Sequence, residues 1–84
     1  MKKLTVGMTV EYVDHKGVSH PALVTSVFGS EDFNPETDHT CINIVYVEGD
    51  ESKSDMWGRQ ICRDSSVPFE RVQSAHGNYW NFLD

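Results

Sequence analysis

Apolar and polar side chains alternate most regularly between Thr40 and Val47, where the chain reads Thr-Cys-Ile-Asn-Ile-Val-Tyr-Val. Ile42, Ile44 and Tyr46 share one face, and the other face is of mixed polarity. β-Branched and aromatic residues favour strands, and a two-residue period places alternate side chains on opposite faces. The pattern predicts a strand that is packed on one side and partly covered on the other, around which the shorter strands of the chain pair.

Four further segments have weaker strand patterns, each bounded by turn-forming residues: Thr9–Val13, Ala22–Phe28, Ser54–Cys62 and Asn78–Leu83. In the second segment Val24 and Val27 are out of phase, which predicts a β-bulge near Thr25-Ser26. Gly58 interrupts the third segment, where it indicates a bulge or the close approach of another backbone. The segment ends at Asp64-Ser65-Ser66.

Gly29–His39 consists almost entirely of turn formers and acidic residues, so we expect a long polar loop. One helical turn could start within it at Pro35. Phe33 is the only aromatic residue in this loop. Two interpretations of it stay open: the ring packs back on the barrel, or it contacts a partner.

Five short strands separated by turns predict an all-β fold, a small five-stranded SH3-like barrel. At most a short helical turn, Phe69–Val72, precedes the last strand. An open OB-like or split-barrel sheet is the alternative. A chain of 84 residues leaves room for a single domain, residues 1–84.

Net charge and apolar runs narrow the function classes. The net charge is −6, which argues against a nucleic-acid partner, because binding to phosphates needs Lys and Arg. No apolar run approaches the ~20 residues that span a membrane, and no secretory leader follows Met1. We therefore expect a cytoplasmic protein without membrane contact, in which Cys41 and Cys62 are free thiols.

Several segments together resemble small phage-encoded SH3-like barrel proteins of unassigned function. The matching segments read Val6-Gly7-Met8-Thr9-Val10-Glu11-Tyr12, Ala22-Leu23-Val24-Thr25-Ser26-Val27, Cys41–Val47, Ser66-Val67-Pro68-Phe69 and Trp80-Asn81-Phe82. The chain departs from the pattern at Gly77-Asn78-Tyr79-Trp80, which inserts a residue, and at Asn81, where such proteins often have His. The resemblance implies a phage or prophage accessory protein in the cytoplasm of a bacterial host.

Histidines and cysteines invite a zinc or a Cys–His enzyme interpretation, but their spacing does not support either. The six residues are His15, His20, His39, His76, Cys41 and Cys62. No Cys-x-x-Cys pair occurs, and no local motif surrounds either thiol. We expect no enzyme activity, no catalytic residues, no metal and no cofactor.

The aromatic residues divide into a core set and a candidate binding set. Tyr46, Phe69, Trp80 and Phe82 are the predicted core. Trp57 and Tyr79 fall out of phase with the inward faces, so with Arg59 they could form a stacking or cation–π site. Neutralisation of neighbouring acids is the simpler role for the arginines. The candidate binding residues are Trp57, Arg59, Tyr79, Phe33 and Arg63.

These observations favour a non-enzymatic binding module that docks on a host or phage protein, or on a copy of itself, through loops and the aromatic residues Trp57 and Tyr79. The alternative is an oligomeric phage counter-defence protein that sequesters a small nucleotide. A weaker third hypothesis is nucleic-acid binding through Arg59, Arg63 and Arg71.

Overall fold

Strands and turns make up the described part of the chain, residues 2–70 and 77–83 of a computed structural model. No helix occurs in these residues, which confirms the predicted all-β class. The strands are β1 (Lys2–Lys3), β2 (Thr9–Val13), β3 (Ser19–Phe28), β4 (Asp32–Phe33), β5 (Cys41–Val47), β6 (Ser54–Asp55), β7 (Gly58–Arg59), β8 (Ile61–Val67) and β9 (Tyr79–Asn81).

One antiparallel sheet of five strands, in the order β8-β5-β3-β2-β9, forms the body of the protein. The segment with the strongest alternation is β5, which pairs on both sides, with β3 and β8. The ends of the sheet meet where Phe69 forms a parallel bridge with Trp80. The Trp80 N–H donates to the Pro68 carbonyl at 2.9 Å, and the Glu70 N–H donates to the Trp80 carbonyl at 3.0 Å. The sheet is therefore curled into a barrel-like shape.

Two β-bulges bend the sheet on either side of β5. In the β3–β5 ladder the register shifts between Val24 and Ser26, as the out-of-phase valines predicted. In the β5–β8 ladder it shifts between Ile42 and Ile44. Opposite this second bulge, Ser66 has φ 52°, and its N–H donates to Asn43 Oδ1 at 3.0 Å. The Asn43 side chain therefore supplies an acceptor for this N–H where the register shifts.

The inward faces of these strands enclose an apolar core centred on four aromatic rings, those of Phe33, Phe69, Trp80 and Phe82. The remaining buried members are Leu4, Val10, Tyr12, Ala22, Val24, Ile42, Ile44 and Val67. The core prediction is confirmed for Phe69, Trp80 and Phe82. Tyr46 is only partly buried and packs at the margin of this cluster.

The acidic loop is more ordered than its composition indicates. Its residues Asp32–Phe33 form β4 and pair with β1. The Leu4 N–H also donates to the Glu31 carbonyl at 2.8 Å. The helical turn expected at Pro35 is a single turn, in which the Asp38 N–H donates to the Asn34 carbonyl at 2.9 Å.

The predicted fourth strand, Ser54–Cys62, is wrong. Gly58 has φ 118°, and the chain turns there to form the β6–β7 hairpin. The strand that joins the main sheet is β8, which begins at Ile61 and runs on through Asp64-Ser65-Ser66. Alternation alone misplaced this strand, because the polar Ser65 and Ser66 lie at its bulge, between the pairs Ile44–Asp64 and Ile42–Val67. The helical turn expected at Phe69–Val72 extends outside the described residues.

Candidate functional site

Among the described residues, the most exposed large apolar side chains are those of Met56 and Trp57, at the turn of the β6–β7 hairpin. Their exposed fractions are 86 % and 88 %. Asp55 precedes the turn and Gly58 follows it, and these two residues pair across the hairpin. Asp at the first and Gly at the fourth position favour a tight turn, and Asp55 Oδ1 accepts the Trp57 N–H at 2.8 Å. The backbone of this turn is therefore held while its two side chains face solvent.

Arg59 lies on the same hairpin, but its charge is already partnered. Its Nη2 is 2.9 Å from Glu51 Oε1. Side-chain hydrogen bonds also organise the approach to the hairpin, where Asp50 Oδ1 accepts the N–H and the hydroxyl of Ser52. These hydrogen bonds lower the pKa of Asp50, so the carboxylate stays charged beside the hairpin.

The structure separates the other predicted binding residues. Tyr79 lies in β9, opposite Val13, at the other end of the strand order from β8, and is half-buried. Among the described residues, no ring contact joins it to Trp57. Arg63 is exposed on β8 and lines a groove of about 510 Å³ with Thr25 and the bulge residues.

The interpretation of Phe33 as a residue that contacts a partner is corrected, because its side chain is fully buried. The centre of its ring lies 4.9 Å from that of Phe69 and 5.3 Å from that of Trp80. A ring enclosed in this way is not available to a partner. Of its two interpretations, packing against the barrel is the one that the structure supports.

An exposed apolar face on the outside of the sheet was not predicted as a site. It forms a shallow groove of about 240 Å³ lined by Thr9, Pro21, Ala22, Leu23, Val45, Tyr46, Val47 and Ile61. The exposed fractions are 44 % for Leu23, 52 % for Val47 and 62 % for Ile61. The signal in the sequence was the outward face of β5, which ends in two valines, Val45 and Val47.

A polar and aromatic cluster joins side chains from four strands of the sheet, β2, β3, β5 and β8, and it too was not predicted. His20 packs on Tyr12 and Tyr46, with ring centres 6.1 Å and 4.7 Å away. Its Nε2 is 2.9 Å from Asp14 Oδ2. The Tyr12 hydroxyl donates to Asp64 Oδ2 at 2.5 Å. Residues far apart in sequence meet here, so no local motif could have revealed the cluster.

The pKa values of this cluster follow from its contacts. Burial raises the pKa of Tyr12, and the hydrogen bond to Asp64 raises it further. Burial also raises the pKa of Tyr46, with an added contribution from Cys62. For Asp14, burial acts upward, but hydrogen bonds from His20, Val18 and Lys16 together hold its pKa below the ordinary value.

The surroundings of Cys62 keep its thiol protonated. Burial raises the pKa of the Cys62 thiol, and a hydrogen bond to Glu48 Oε2 at 3.2 Å adds to this. The Cys41 thiol approaches the backbone carbonyl of His39 at 4.0 Å. Both are free thiols. Within residues 2–70 and 77–83, no group of three or more His, Cys, Asp or Glu side chains could hold a metal ion.

Comparison with known proteins adds no relative. No family model, curated protein or solved structure matches the chain. In the part of the chain that the structure describes, no helix has the length and apolar character needed to cross a membrane.

Proposed function

We propose that this chain is a non-enzymatic protein-binding module, an SH3-like barrel that docks on another protein through the turn of its β6–β7 hairpin. We call this surface, Met56 and Trp57, the hairpin tip. The observation that carries the proposal is the exposure of the two side chains, 86 % and 88 %, on a hydrogen-bonded turn.

The chemistry of the hairpin tip suits protein recognition. A Trp side chain buries about 150–250 Å² and is among the residues that most often dominate binding energy. Met is flexible and polarisable, so it adapts to the surface that it meets. Because Asp55 and Gly58 hold the turn, little backbone freedom is lost when a partner binds.

Acidic groups near the tip define the complementary partner. The segment from Glu48 to Arg59 contains four carboxylates, at Glu48, Asp50, Glu51 and Asp55, and two cations, Lys53 and Arg59. A partner with an apolar pocket and a basic rim would match this surface. Such complementarity raises the association rate and favours correct partners more than it raises affinity.

The same charges argue against the nucleotide alternative. A phosphate bound at Trp57 and Arg59 would compete with Glu51 for the guanidinium group and would lie near further carboxylates. Because an exposed ion pair is weak, Glu51 would lower the affinity for a phosphate without preventing its binding. Nucleic acid presents many phosphates, so a chain of net charge −6 would repel it over a larger contact area.

The resemblance to phage-encoded barrels supports a phage or prophage accessory role, with a host or phage protein as the partner. An accessory protein of this kind acts by occupying a partner's surface. That role fits a small barrel in which two strongly exposed apolar residues, Met56 and Trp57, form a single turn.

The test is affinity capture with matched variants. Immobilised wild-type protein is expected to retain a bacterial protein from lysate saturably, and the purified partner should bind Trp57→Ala at least tenfold more weakly. Phe28→Ala is the control, because Phe28 is also an exposed aromatic residue, at 56 %, but lies at the end of β3. Equal binding of wild type and Trp57→Ala would contradict the proposal. A large thermal shift with one nucleotide, abolished by Arg59→Ala, would favour the alternative instead.

A further inference from the structure

The apolar outer face of the sheet has a definite pattern in the strand register. One row across four strands consists of residues paired in succession: Thr9, Leu23, Val45 and Arg63. The next row contains the pairs Glu11–Pro21 and Val47–Ile61. The centre of this face is therefore uncharged, with Arg63 on the β8 side and Glu11 on the β2 side.

Charge decides what can cover such a face. The whole chain carries a net charge of −6, so two copies repel each other across most of their surfaces. The outer face lacks that repulsion at its centre, and its two flanking charges are of opposite sign. A surface with this arrangement is complementary to itself under a two-fold rotation.

We propose that the outer face binds a second copy of this chain in a symmetric dimer, with the two-fold axis parallel to the strands. The rotation exchanges the β2 and β8 sides. Arg63 of one copy then faces Glu11 of the other, and two such ion pairs form for each dimer. The rows of the two residues are offset by about 7 Å along the strand, a distance that the two long side chains can span.

Both charges are available for this contact. Among the described residues, Arg63 has no ion-pair partner. Glu11 accepts one hydrogen bond, from the Ser19 hydroxyl at 2.8 Å. The groove of about 240 Å³ on the same face gives the partner's Leu23 or Ile61 a recess to enter.

The face is small, which sets the strength of the dimer. An area four strands wide and a few residues long is at the low end of specific interfaces, where complexes are transient. We expect a dissociation constant on the order of 100 μM. A two-fold axis parallel to the strands leaves both hairpin tips pointing in the same direction, so a dimer would present two tips to a partner.

This inference goes beyond the proposed function, because it concerns a different surface. Sedimentation velocity between about 10 μM and 1 mM tests it. The wild-type protein is expected to shift from monomer to dimer over this range, and Leu23→Glu should weaken the dimer at least tenfold. Val18→Glu is the matched control, because Val18 is 50 % exposed but lies outside this face. The Val18→Glu variant should dimerise like the wild type.

A charge exchange tests the pairing directly and does not depend on the apolar change being tolerated. Arg63→Glu alone and Glu11→Arg alone should each weaken the dimer, because each places like charges opposite one another. The double variant should restore it and should keep the wild-type dependence on salt. A wild-type monomer at 1 mM, or a double variant no better than the single ones, would overturn the dimer. The affinity of Leu23→Glu for a captured partner reports separately on the hairpin tip.

Discussion

Truncation of Phe33 tests whether an aromatic residue in an acidic loop holds the barrel together. The ring is fully buried and lies within 6 Å of three other rings, those of Phe69, Trp80 and Phe82, with centre distances of 4.9, 5.3 and 5.6 Å. Removal of a buried Phe side chain costs about 3–5 kcal/mol, because apolar burial is lost and a cavity remains.

That cost is large for a chain of this size. At about 0.05–0.15 kcal/mol per residue, 84 residues give a free energy of unfolding of roughly 4–13 kcal/mol. Phe33→Ala is therefore expected to lower stability greatly or to unfold the protein. Phe33→Leu keeps most of the volume and should cost about 1 kcal/mol, which leaves a folded variant to measure.

Urea denaturation followed by Trp fluorescence measures the effect. Trp80 is fully buried beside Phe33 and reports unfolding, whereas Trp57 is exposed in the folded state. With a slope of about 1 kcal/mol per molar urea, Phe33→Leu should lower the midpoint by about 1 M. Phe28→Ala, at an exposed Phe, should cost less than about 1 kcal/mol. If Phe33→Ala is no more destabilising than Phe28→Ala, the assignment of Phe33 to the core is wrong.

Two pH-dependent effects follow from the cluster around Tyr12 and His20. The pKa of Tyr12 is raised on folding, so its contribution to stability is complete below its unfolded pKa of about 10 and is lost as the pH rises above it. Difference absorbance should show ionisation of Tyr12 and Tyr46 only at higher pH or on alkaline unfolding, and ordinary titration of both near pH 10 would contradict this. The pKa of Asp14 is lowered, so its contribution is present above its unfolded pKa, near 4, and is lost as the pH falls through the folded value. Asp14→Asn removes the charged acceptor of His20 and should lower the free energy of unfolding by about 1–2 kcal/mol at pH 7. When both proteins are unfolded in urea at pH 2, where Asp14 is protonated, their stabilities should be nearly equal. A cost that does not depend on pH would contradict the role of the charge.

The site was less predictable than the fold. Trp57 and Arg59 are two residues apart and lie on the same hairpin, so their proximity could be predicted from the sequence alone. Phase alone also groups Tyr79 with Trp57, because both residues fall out of phase with the inward faces, but phase does not specify which strands become neighbours. The outer apolar face was not predicted, because it forms only when four strands are aligned in register.

What the sequence determined by itself is local. The alternation around β5 and the out-of-phase valines Val24 and Val27 specified a strand, a bulge and the all-β class, because each depends on neighbouring residues along the chain. Gly58, which the pattern placed inside a strand, instead closes the turn of the β6–β7 hairpin. Only the tertiary structure decided that Phe33 is in the core and that Tyr12 meets Asp64. These contacts join segments distant in sequence, and their register depends on how the whole sheet closes. Side-chain alternation places a residue on a face, whereas its partner there is set by packing across the sheet.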